Sequence, residues 1–162
     1  MRRLIRPLIS ILVTATAALA GNPTVPGDLA VLKGDIASAP ENAPAAVKNA
    51  IWAVNSIVRK PYRWGGGHST FFDVGYDCSG TVSFMLHHAG VLAAPTPSSG
   101  LLAWGQAGRG RWITVYTRPG HAFAIVAGLR LDTTGRREGE GPRWRADLRD
   151  LSKFTMRHPA GF

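Results

Sequence analysis

The chain has 162 residues, a length that suits one domain and is short for two. Apolar residues make up 45 % and charged residues 18 % of it, a balance that is ordinary for a globular protein and excludes a disordered tail. Lys and Arg number 19 against 10 Asp and Glu, a formal charge of +9, and the single cysteine excludes an intramolecular disulfide.

The first twenty residues have the pattern of a secretory signal peptide. Three arginines in the first six residues precede an apolar run over 8–19, and Ala18 and Ala20 are small residues where a signal peptidase needs them. The run is about a dozen residues, below the roughly 20 that span a bilayer. We therefore predict export to the periplasm, the cell wall or the extracellular space, without stable membrane insertion. An uncleaved N-terminal anchor is the alternative.

The charge that remains after residue 20 is +6, since the leader carries three arginines and no acid. It is compatible with nucleic acid, anionic lipid or an anionic cell wall as partner. Export argues against nucleic acid, and we predict none. Acids interrupt the basic residues of the C-terminal third, a pattern typical of a solvated, mixed-charge face. These basic residues are Arg130, Arg136, Arg137, Arg143, Arg145, Arg149, Lys153 and Arg157.

The next part of the chain combines an irregular segment, a helix and a loop. Residues 21–43 are rich in Pro, Gly and Ala without a sustained period, which predicts a linker or N-terminal arm. Apolar residues recur at helical spacing over 44–59, and Pro61 stops that helix. Residues 61–76 are predicted as a glycine-rich loop. The apolar positions of the helix are Val47, Ile51, Val54 and Val58.

A second helix is predicted over 78–89. Val82, Met85 and Leu86 line one face of it, and Gly90 suits its C-terminal cap. Asp77 stands where an N-cap belongs, because its carboxylate can accept hydrogen bonds from the free amides of the first turn. Cys78 is therefore placed at the N-terminus of a helix.

Strands follow these helices. They are predicted over 111–117, 121–127 and 129–134, with Gly128 in a hairpin turn, and a short strand over 144–148. Helices first and strands second predict an α+β fold with an antiparallel sheet. One domain is expected over 44–162.

Cys78 is the strongest candidate for a chemical role. Exported proteins usually pair their cysteines, so a lone cysteine is either buried structure or a reactive thiol. A helix N-terminus stabilises thiolate over thiol, and the amide of Cys78 is available to an oxyanion. The neighbours Asp77, Ser79 and Gly80 are not typical core residues, and Gly80 would let a substrate backbone approach. This pattern favours a nucleophile.

A nucleophilic thiolate needs a base, and His121 is the best placed of the five histidines. It opens a predicted strand directly after the turn at Pro119 and Gly120. His87 and His88 lie at the far end of the Cys78 helix, His68 lies in the glycine-rich loop, and His158 is near the C-terminus.

Three blocks of sequence together resemble the NlpC family, papain-like cysteine peptidases of bacterial cell walls. They are Pro61-Tyr62-Arg63-Trp64-Gly65-Gly66, then Asp77-Cys78-Ser79-Gly80 opening a helix, then Gly120-His121-Ala122 opening a strand. The resemblance covers about 47–135. It implies a papain-like α+β fold, in which N-terminal helices, one carrying the nucleophile at its N-terminus, pack on a C-terminal antiparallel sheet.

The resemblance also implies an activity. Such enzymes cleave peptidoglycan stem peptides, commonly between γ-D-glutamate and a diamino acid, and no cofactor or metal is implied. Cys78 would be the nucleophile and His121 the general base. Tyr62 would lie beside the thiol, Asp77 would contact the amine of a stem peptide, and Ser79 is assigned with them to substrate binding. Alternatively, Asp77 is only an N-cap.

The third catalytic position departs from the family, which usually places a polar residue, often His, on the strand after the base. Here the segment reads Leu131-Asp132-Thr133-Thr134-Gly135. Asp132 takes the orienting position if the hairpin turn is short, and Thr133 takes it otherwise. A carboxylate fixes an imidazole tautomer and stabilises imidazolium, which favours Asp132. A solvated hairpin aspartate is the bland alternative.

Other functions remain open at this point. An amidase or acyltransferase can use the same thiol–imidazole pair, and a cell-wall binding module could have lost turnover. A zinc hydrolase using His68, Asp73 and His121 is a further alternative, although the chain has no compact ligand motif. Residues 136–162 have no family counterpart and are a candidate lining of the cleft. No oligomeric state is predicted.

Overall fold

The computed structural model describes residues 21–134 and 140–162. The predicted signal peptide and its cleavage site lie outside these ranges, so the leader remains a prediction. The described part of the chain contains a small N-terminal sheet, two main helices and a six-stranded sheet. None of the helices within it has the length and apolar character to cross a membrane.

The segment predicted as a linker or arm contains three short strands. These are β1 (Thr24–Val25), β2 (Val31–Lys33) and β3 (Ile36–Pro40), with β3 between the other two. Ala37 and Ala39 of β3 are fully buried. Both backbone groups of Ala37 bond the Asn55 side-chain amide, at 3.0 and 2.9 Å. Strands of two to five residues are too short to display an alternating pattern, which is why the sequence does not predict them.

Helix α1 (Ala45–Asn55) begins after Pro44 and packs against β3 and the second helix. It ends four residues before the predicted end. The amides of Ser56 and Ile57 donate hydrogen bonds to the carbonyls of Ala53 and Val54, each three residues earlier. The chain therefore continues after α1 in 3₁₀-type turns. Ile57 and Val58 stay buried, which explains why their apolar spacing extends the predicted helix beyond α1.

Helix α2 (Cys78–His88) lies at the centre of the domain. Asp77 is its N-cap and accepts a 2.8 Å hydrogen bond from the amide of Gly80, and Gly90 follows its C-cap with a φ of 73°. Every residue from Cys78 to Leu86 is buried, because α2 packs against α1 on one side and the large sheet on another. This packing fixes the position of Cys78.

The large sheet is antiparallel, as predicted. It follows the short helix α3 (Ser98–Leu101), and its strand order is β4-β9-β5-β6-β7-β8. The predicted α+β class with an antiparallel sheet is thereby confirmed. Strands β4 and β9 and helix α3 are not anticipated by the sequence pattern. The strands are β4 (Gln106–Ala107), β5 (Ile113–Arg118), β6 (His121–Val126), β7 (Leu129–Asp132), β8 (Arg143–Arg145) and β9 (Thr155–His158).

The β6–β7 hairpin turns through two residues with positive φ, Ala127 at 46° and Gly128 at 90°. Its pairs include Ala124 with Leu131 and Val126 with Leu129. Because side chains alternate along a strand, this short turn puts Asp132 on the same sheet face as His121. Thr133 falls on the opposite face.

Gly80 of α2 packs against the glycine-rich loop rather than lining an approach for substrate, which corrects the expectation from the sequence. A methyl group at Gly80 would overlap the carbonyl oxygen of Gly66 and lie 3.1 Å from Cα of Gly67. The backbone of the loop therefore contacts the first turn of α2 directly. This close approach locks the loop to the helix that carries Cys78.

Gly80→Ala is expected to destabilise the fold by about 3 kcal/mol, because the overlap is with backbone and the loop must move. Helix propensity alone would favour Ala by about 1 kcal/mol, so the two effects have opposite signs. Urea denaturation measures the change in the free energy of unfolding. Gly21→Ala is the matched control, since a methyl there meets nothing within 4 Å. A Gly80→Ala variant as stable as the wild type would contradict the close approach.

Candidate active site

Three elements bring Cys78, His121 and Asp132 together. Cys78 is the first residue of α2, His121 the first of β6 and Asp132 the last of β7. Cys78 is 9 % exposed, and its sulfur lies near the His121 side chain and the backbone amide of Ala122, both of which act on its pKa. The thiol is therefore within direct reach of the imidazole.

The His121 ring is oriented by Asp132. Its Nε2 lies 3.2 Å from Oδ1 of Asp132. With Nε2 directed at the carboxylate, Nδ1 is the ring nitrogen left for the sulfur of Cys78. Oγ1 of Thr134 also lies 3.2 Å from Nε2. The order thiol, imidazole, carboxylate is the arrangement in which a carboxylate stabilises an imidazolium.

Asp132 is a buried carboxylate with cationic partners. Its Oδ2 accepts hydrogen bonds from Arg130 at 2.9 Å and from Arg149 at 3.0 Å, while Oδ1 accepts the amide of Thr134 at 2.9 Å. The bland alternative, a solvated hairpin aspartate, is therefore wrong: the side chain of Asp132 has no exposed area. Thr133, the other candidate, is also buried and follows the last residue of β7.

Arg130, Arg149 and Thr134 were missed by reasoning from the sequence. The side chains of Arg130 and Arg149 are only 7 % and 24 % exposed, so these two do not belong to the expected solvated face. Arg130 could have been suspected, because it stands two residues before Asp132 and shares its sheet face. For Arg149, 17 residues after Asp132, no local signal exists.

The pKa values of the three groups move in complementary directions. Burial raises the pKa of the Cys78 thiol, but hydrogen bonds from His121 and Ala122 and the charge of His121 outweigh it and hold it below the ordinary value. Burial lowers the pKa of His121, yet its contacts with Asp132 and Cys78 raise it to about 9. The lowered pKa of Cys78 and the raised pKa of His121 together favour transfer of the thiol proton to the imidazole, which gives a thiolate–imidazolium pair.

The pKa of Asp132 is also displaced. Burial raises it, but the hydrogen bonds from His121, the Thr134 amide and Arg149, with the charge of His121, lower it below its ordinary value. Asp132 is consequently ionised throughout the range in which His121 titrates.

A cavity of about 330 Å³ opens beside Cys78. It contains all three residues that the resemblance assigns to substrate binding. Its lining residues are Tyr62, Trp64, Gly65, His68, Asp77, Cys78, Ser79, Pro97, Ser98 and Gly120. The thiol thus faces a pocket large enough for part of a peptide.

Within this cavity, Asp77 is both N-cap and part of a polar cluster. Besides Gly80, its carboxylate accepts hydrogen bonds from the Gly65 amide at 3.1 Å and from the Ser79 hydroxyl at 3.3 Å. Nε2 of His68 lies 3.0 Å from Oδ1 of Asp77 and 3.1 Å from Oγ of Ser79. Asp77 thus caps α2 and also contacts Gly65, Ser79 and His68, and His68 joins the pocket from the glycine-rich loop.

Tyr62 lies close enough to Cys78 for the thiolate charge to affect the pKa of its hydroxyl. Burial raises the pKa of the Tyr62 hydroxyl, and the negative charges of Cys78 and Asp77 raise it further. Tyr62 is held by backbone pairing with Tyr76 and is 38 % exposed. Its hydroxyl is thus a protonated donor at the mouth of the cavity.

The other histidines are engaged away from the thiol. His87 and His88 lie among the rings of Phe71, Phe72 and Phe84, and Nδ1 of His158 faces the Gly108 carbonyl. Within 21–134 and 140–162, no group of three or more His, Cys, Asp and Glu side chains could hold a metal ion. The alternative zinc site of His68, Asp73 and His121 is therefore not assembled.

Comparison with known proteins finds one kind of similarity. No protein-family model matches the chain, and no curated protein matches it significantly. Among solved structures, the chain is similar to the peptidoglycan hydrolase RipB from Mycobacterium tuberculosis, with a TM-score of 0.51 and 23 % sequence identity. The match covers 71 % of this chain and 68 % of that one. At this identity the likeness shows a shared fold.

Proposed function

We propose that this protein is an exported cysteine peptidase that cleaves the peptide stems of peptidoglycan. The observation that carries the proposal is the alignment of Cys78, His121 and Asp132 beside a cavity. The fold shared with RipB, a peptidoglycan hydrolase, supports peptidoglycan as the substrate class. The net positive charge of the chain also supports it, because a bacterial cell wall is anionic and would attract the protein. Residues 1–20 are proposed as the leader that exports the chain.

In the first step, the thiolate of Cys78 attacks the carbonyl carbon of the scissile amide. The amide of Cys78, at the positive end of α2, faces the developing oxyanion, and the Tyr62 hydroxyl is a second donor. His121 gives the proton on Nδ1 to the nitrogen of the departing amine as the C–N bond breaks. The acyl group remains on Cys78 as a thioester.

In the second step, water replaces the amine. His121, now neutral, takes a proton from this water, whose oxygen attacks the thioester carbonyl. The carbon–sulfur bond breaks, the thiolate leaves with its electron pair, and the imidazolium is restored. Asp132 holds the ring orientation through both steps and stabilises its charged form.

Substrate recognition is assigned to Tyr62, Asp77 and Ser79. The carboxylate of Asp77 is negative and lines the cavity, so it suits the protonated amine of a stem peptide. Such an amine would take the position of the His68 imidazole on Oδ1. The bond proposed for cleavage is that between γ-D-glutamate and a diamino acid, as the NlpC resemblance implies.

The rate is expected to depend on pH with a basic limb near 9. The pKa of His121 is raised to about 9, so above that pH the imidazolium that protonates the leaving amine is lost and the rate falls. On the acid side, the rate falls only below the ordinary pKa of a thiol, where the thiolate of Cys78 becomes protonated. The pH dependence of kcat/KM measures both limbs. A basic limb near 6.5, the ordinary histidine value, would contradict this pairing.

Mass spectrometry of purified muropeptides, crosslinked and uncrosslinked, tests the function. Stem fragments formed by the chain from Gly21 onward, and not by its Cys78→Ala variant, would support a cysteine peptidase, and their masses identify the bond. Fragments from which the sugar is released intact would indicate an amidase instead. A folded protein that binds insoluble cell wall without forming fragments would indicate a binding module.

A further inference from the structure

The C-terminal segment that follows β8 brings a cation to the back of the active site. Arg149 donates a 3.0 Å hydrogen bond from Nη1 to Oδ2 of Asp132, and the same Nη1 lies 3.2 Å from Nε2 of His121. The two nitrogens cannot form a favourable hydrogen bond when His121 is protonated, because each then carries only donors. Arg149 therefore attracts the carboxylate and repels the imidazolium.

The position of Arg149 is built by aromatic rings. Its guanidinium lies over the rings of Phe123 and Phe154, 5.3 Å from each centroid, and these two rings contact each other edge to face at 5.0 Å. Such cation–π contacts hold a guanidinium without competing for its N–H donors. The side chain is therefore fixed by two aromatic faces and one carboxylate.

Arg130 anchors the segment that carries Arg149. Its Nε donates to the backbone carbonyl of Asp147 at 3.0 Å, and its Nη2 contacts Oδ2 of Asp147 at 2.8 Å. Because Arg130 also holds Oδ2 of Asp132, it links the end of β7 to a point two residues before Arg149. Arg130 therefore still orients the Asp132 carboxylate when Arg149 is replaced. The positive charge beside His121, in contrast, depends on Arg149 itself.

We propose that Arg149 is a positioning residue that opposes Asp132 and so limits how firmly His121 keeps its proton. This inference rests on the proposed function, in which His121 must give a proton to the leaving amine. Asp132 alone would make His121 a poor acid, since a buried carboxylate 3.2 Å away favours imidazolium. Arg149 offsets part of that attraction, and His121 retains enough acidity for proton donation.

The charged and polar groups that face His121 come from four parts of the chain. Arg118, paired opposite His121 on β5, places its guanidinium over Phe154 at 5.1 Å, so within 21–134 and 140–162 Arg149 is the cation in hydrogen-bond range of the ring. The groups facing His121 are Cys78 from α2, Asp132 and Thr134 at the end of β7, Arg149 from the C-terminal segment and Arg118 from β5.

A titration of His121 by NMR tests the proposal without substrate. The protein is labelled with ¹³C-histidine, and the resonance of His121 is assigned by its loss in His121→Asn. In Arg149→Gln, the pKa of His121 is expected to rise by about one pH unit, because the repelling charge is gone. Arg149→Lys keeps the charge and should restore the wild-type titration. Lys153→Gln removes an exposed charge from the same segment and should change nothing.

The titration decides the proposal in every outcome. An unshifted pKa in folded Arg149→Gln, or equal shifts in Arg149→Gln and Arg149→Lys, would overturn it. If Arg149→Gln does not fold, Arg149→Met takes its place, since it also removes the charge and keeps a long side chain that can pack on the rings of Phe123 and Phe154. The pKa of His121 should again rise, and an unchanged pKa would overturn the proposal.

Activity adds a second readout where muropeptides are cleaved. Arg149→Gln should lower kcat about three- to tenfold near neutral pH with KM unchanged, and move the basic limb upward. A raised KM with unchanged kcat would assign Arg149 to substrate binding instead and overturn the positioning role. If the wild type cleaves no muropeptide while the titration shifts as expected, the proposed substrate fails and the role of Arg149 stands.

Discussion

Cys78→Ala is expected to abolish turnover, with kcat reduced by about 10⁴-fold or more. The change removes the sulfur that forms the thioester and leaves a small side chain at the first position of α2. Asp77 still caps this helix through Gly80, so the fold should persist. Muropeptide cleavage measures the activity, and circular dichroism with thermal melting measures the fold.

A matched control for this variant lies on the same helix. Ser83 is fully buried and its hydroxyl bonds the backbone of Thr96, at 3.1 and 3.0 Å. Ser83→Ala should cost about 1 to 2 kcal/mol of stability and keep turnover, because it lies away from the thiol. A Cys78→Ala protein that is unfolded would indicate a structural cysteine, and one that still cleaves would exclude the thiol mechanism.

Asp132→Asn is expected to have the second-largest effect, a loss of about 10²- to 10⁴-fold in kcat. An amide keeps the shape of the side chain but no longer stabilises imidazolium, so the basic limb should move below its wild-type position near 9. Stability should fall by about 3 kcal/mol, because Arg130 and Arg149 lose their shared buried anion. The pH profile and urea denaturation measure these changes.

Thr133→Val tests whether Asp132, rather than its neighbour Thr133, is the residue that orients His121. Thr133 is also buried, but it directly follows Asp132, so strand alternation directs it away from the face that carries His121, and valine preserves its volume. Little change in kcat is therefore expected. A larger loss at Thr133 than at Asp132 would mean that the register of the β6–β7 hairpin differs from the one described.

The basic limbs of the pH profiles of Asp132→Asn and Arg149→Gln should move in opposite directions. Asp132 stabilises the protonated form of His121, whereas Arg149 disfavours it.

The elements predicted correctly are those with local signals. The α2 helix is readable because Asp77, the apolar spacing and Gly90 all lie within fourteen consecutive residues. The β5–β6–β7 strands are readable because turns at Gly120 and Gly128 separate apolar runs. In contrast, β9 reads Thr155-Met156-Arg157-His158, with no apolar alternation, and it forms only by pairing with distant strands.

The residues of the candidate site also fall into two groups, those that a local sequence signal marks and those that only distant contacts bring into place. Cys78 and His121 stand at element ends that the sequence marks, and the choice of Asp132 over Thr133 depends on a turn length that Gly128 suggests. The pairing of His68 with Asp77 requires the path of the glycine-rich loop, which local patterns do not determine. Arg149 cannot be distinguished from a surface arginine by sequence, since its partner Asp132 lies 17 residues away and the contact forms only in the folded chain.

The place of β9 in the sheet sets an order for assembly. β9 lies between β4 and β5, although it is the last strand in the chain. A polypeptide still emerging from a ribosome cannot complete this sheet until residue 158 is free. Phe154 and Arg149 precede that strand and reach His121 when it pairs, so the thiol would acquire its full surroundings only after synthesis has passed this point. Slow folding dominated by contacts between distant parts of the sequence is the expected kinetic behaviour.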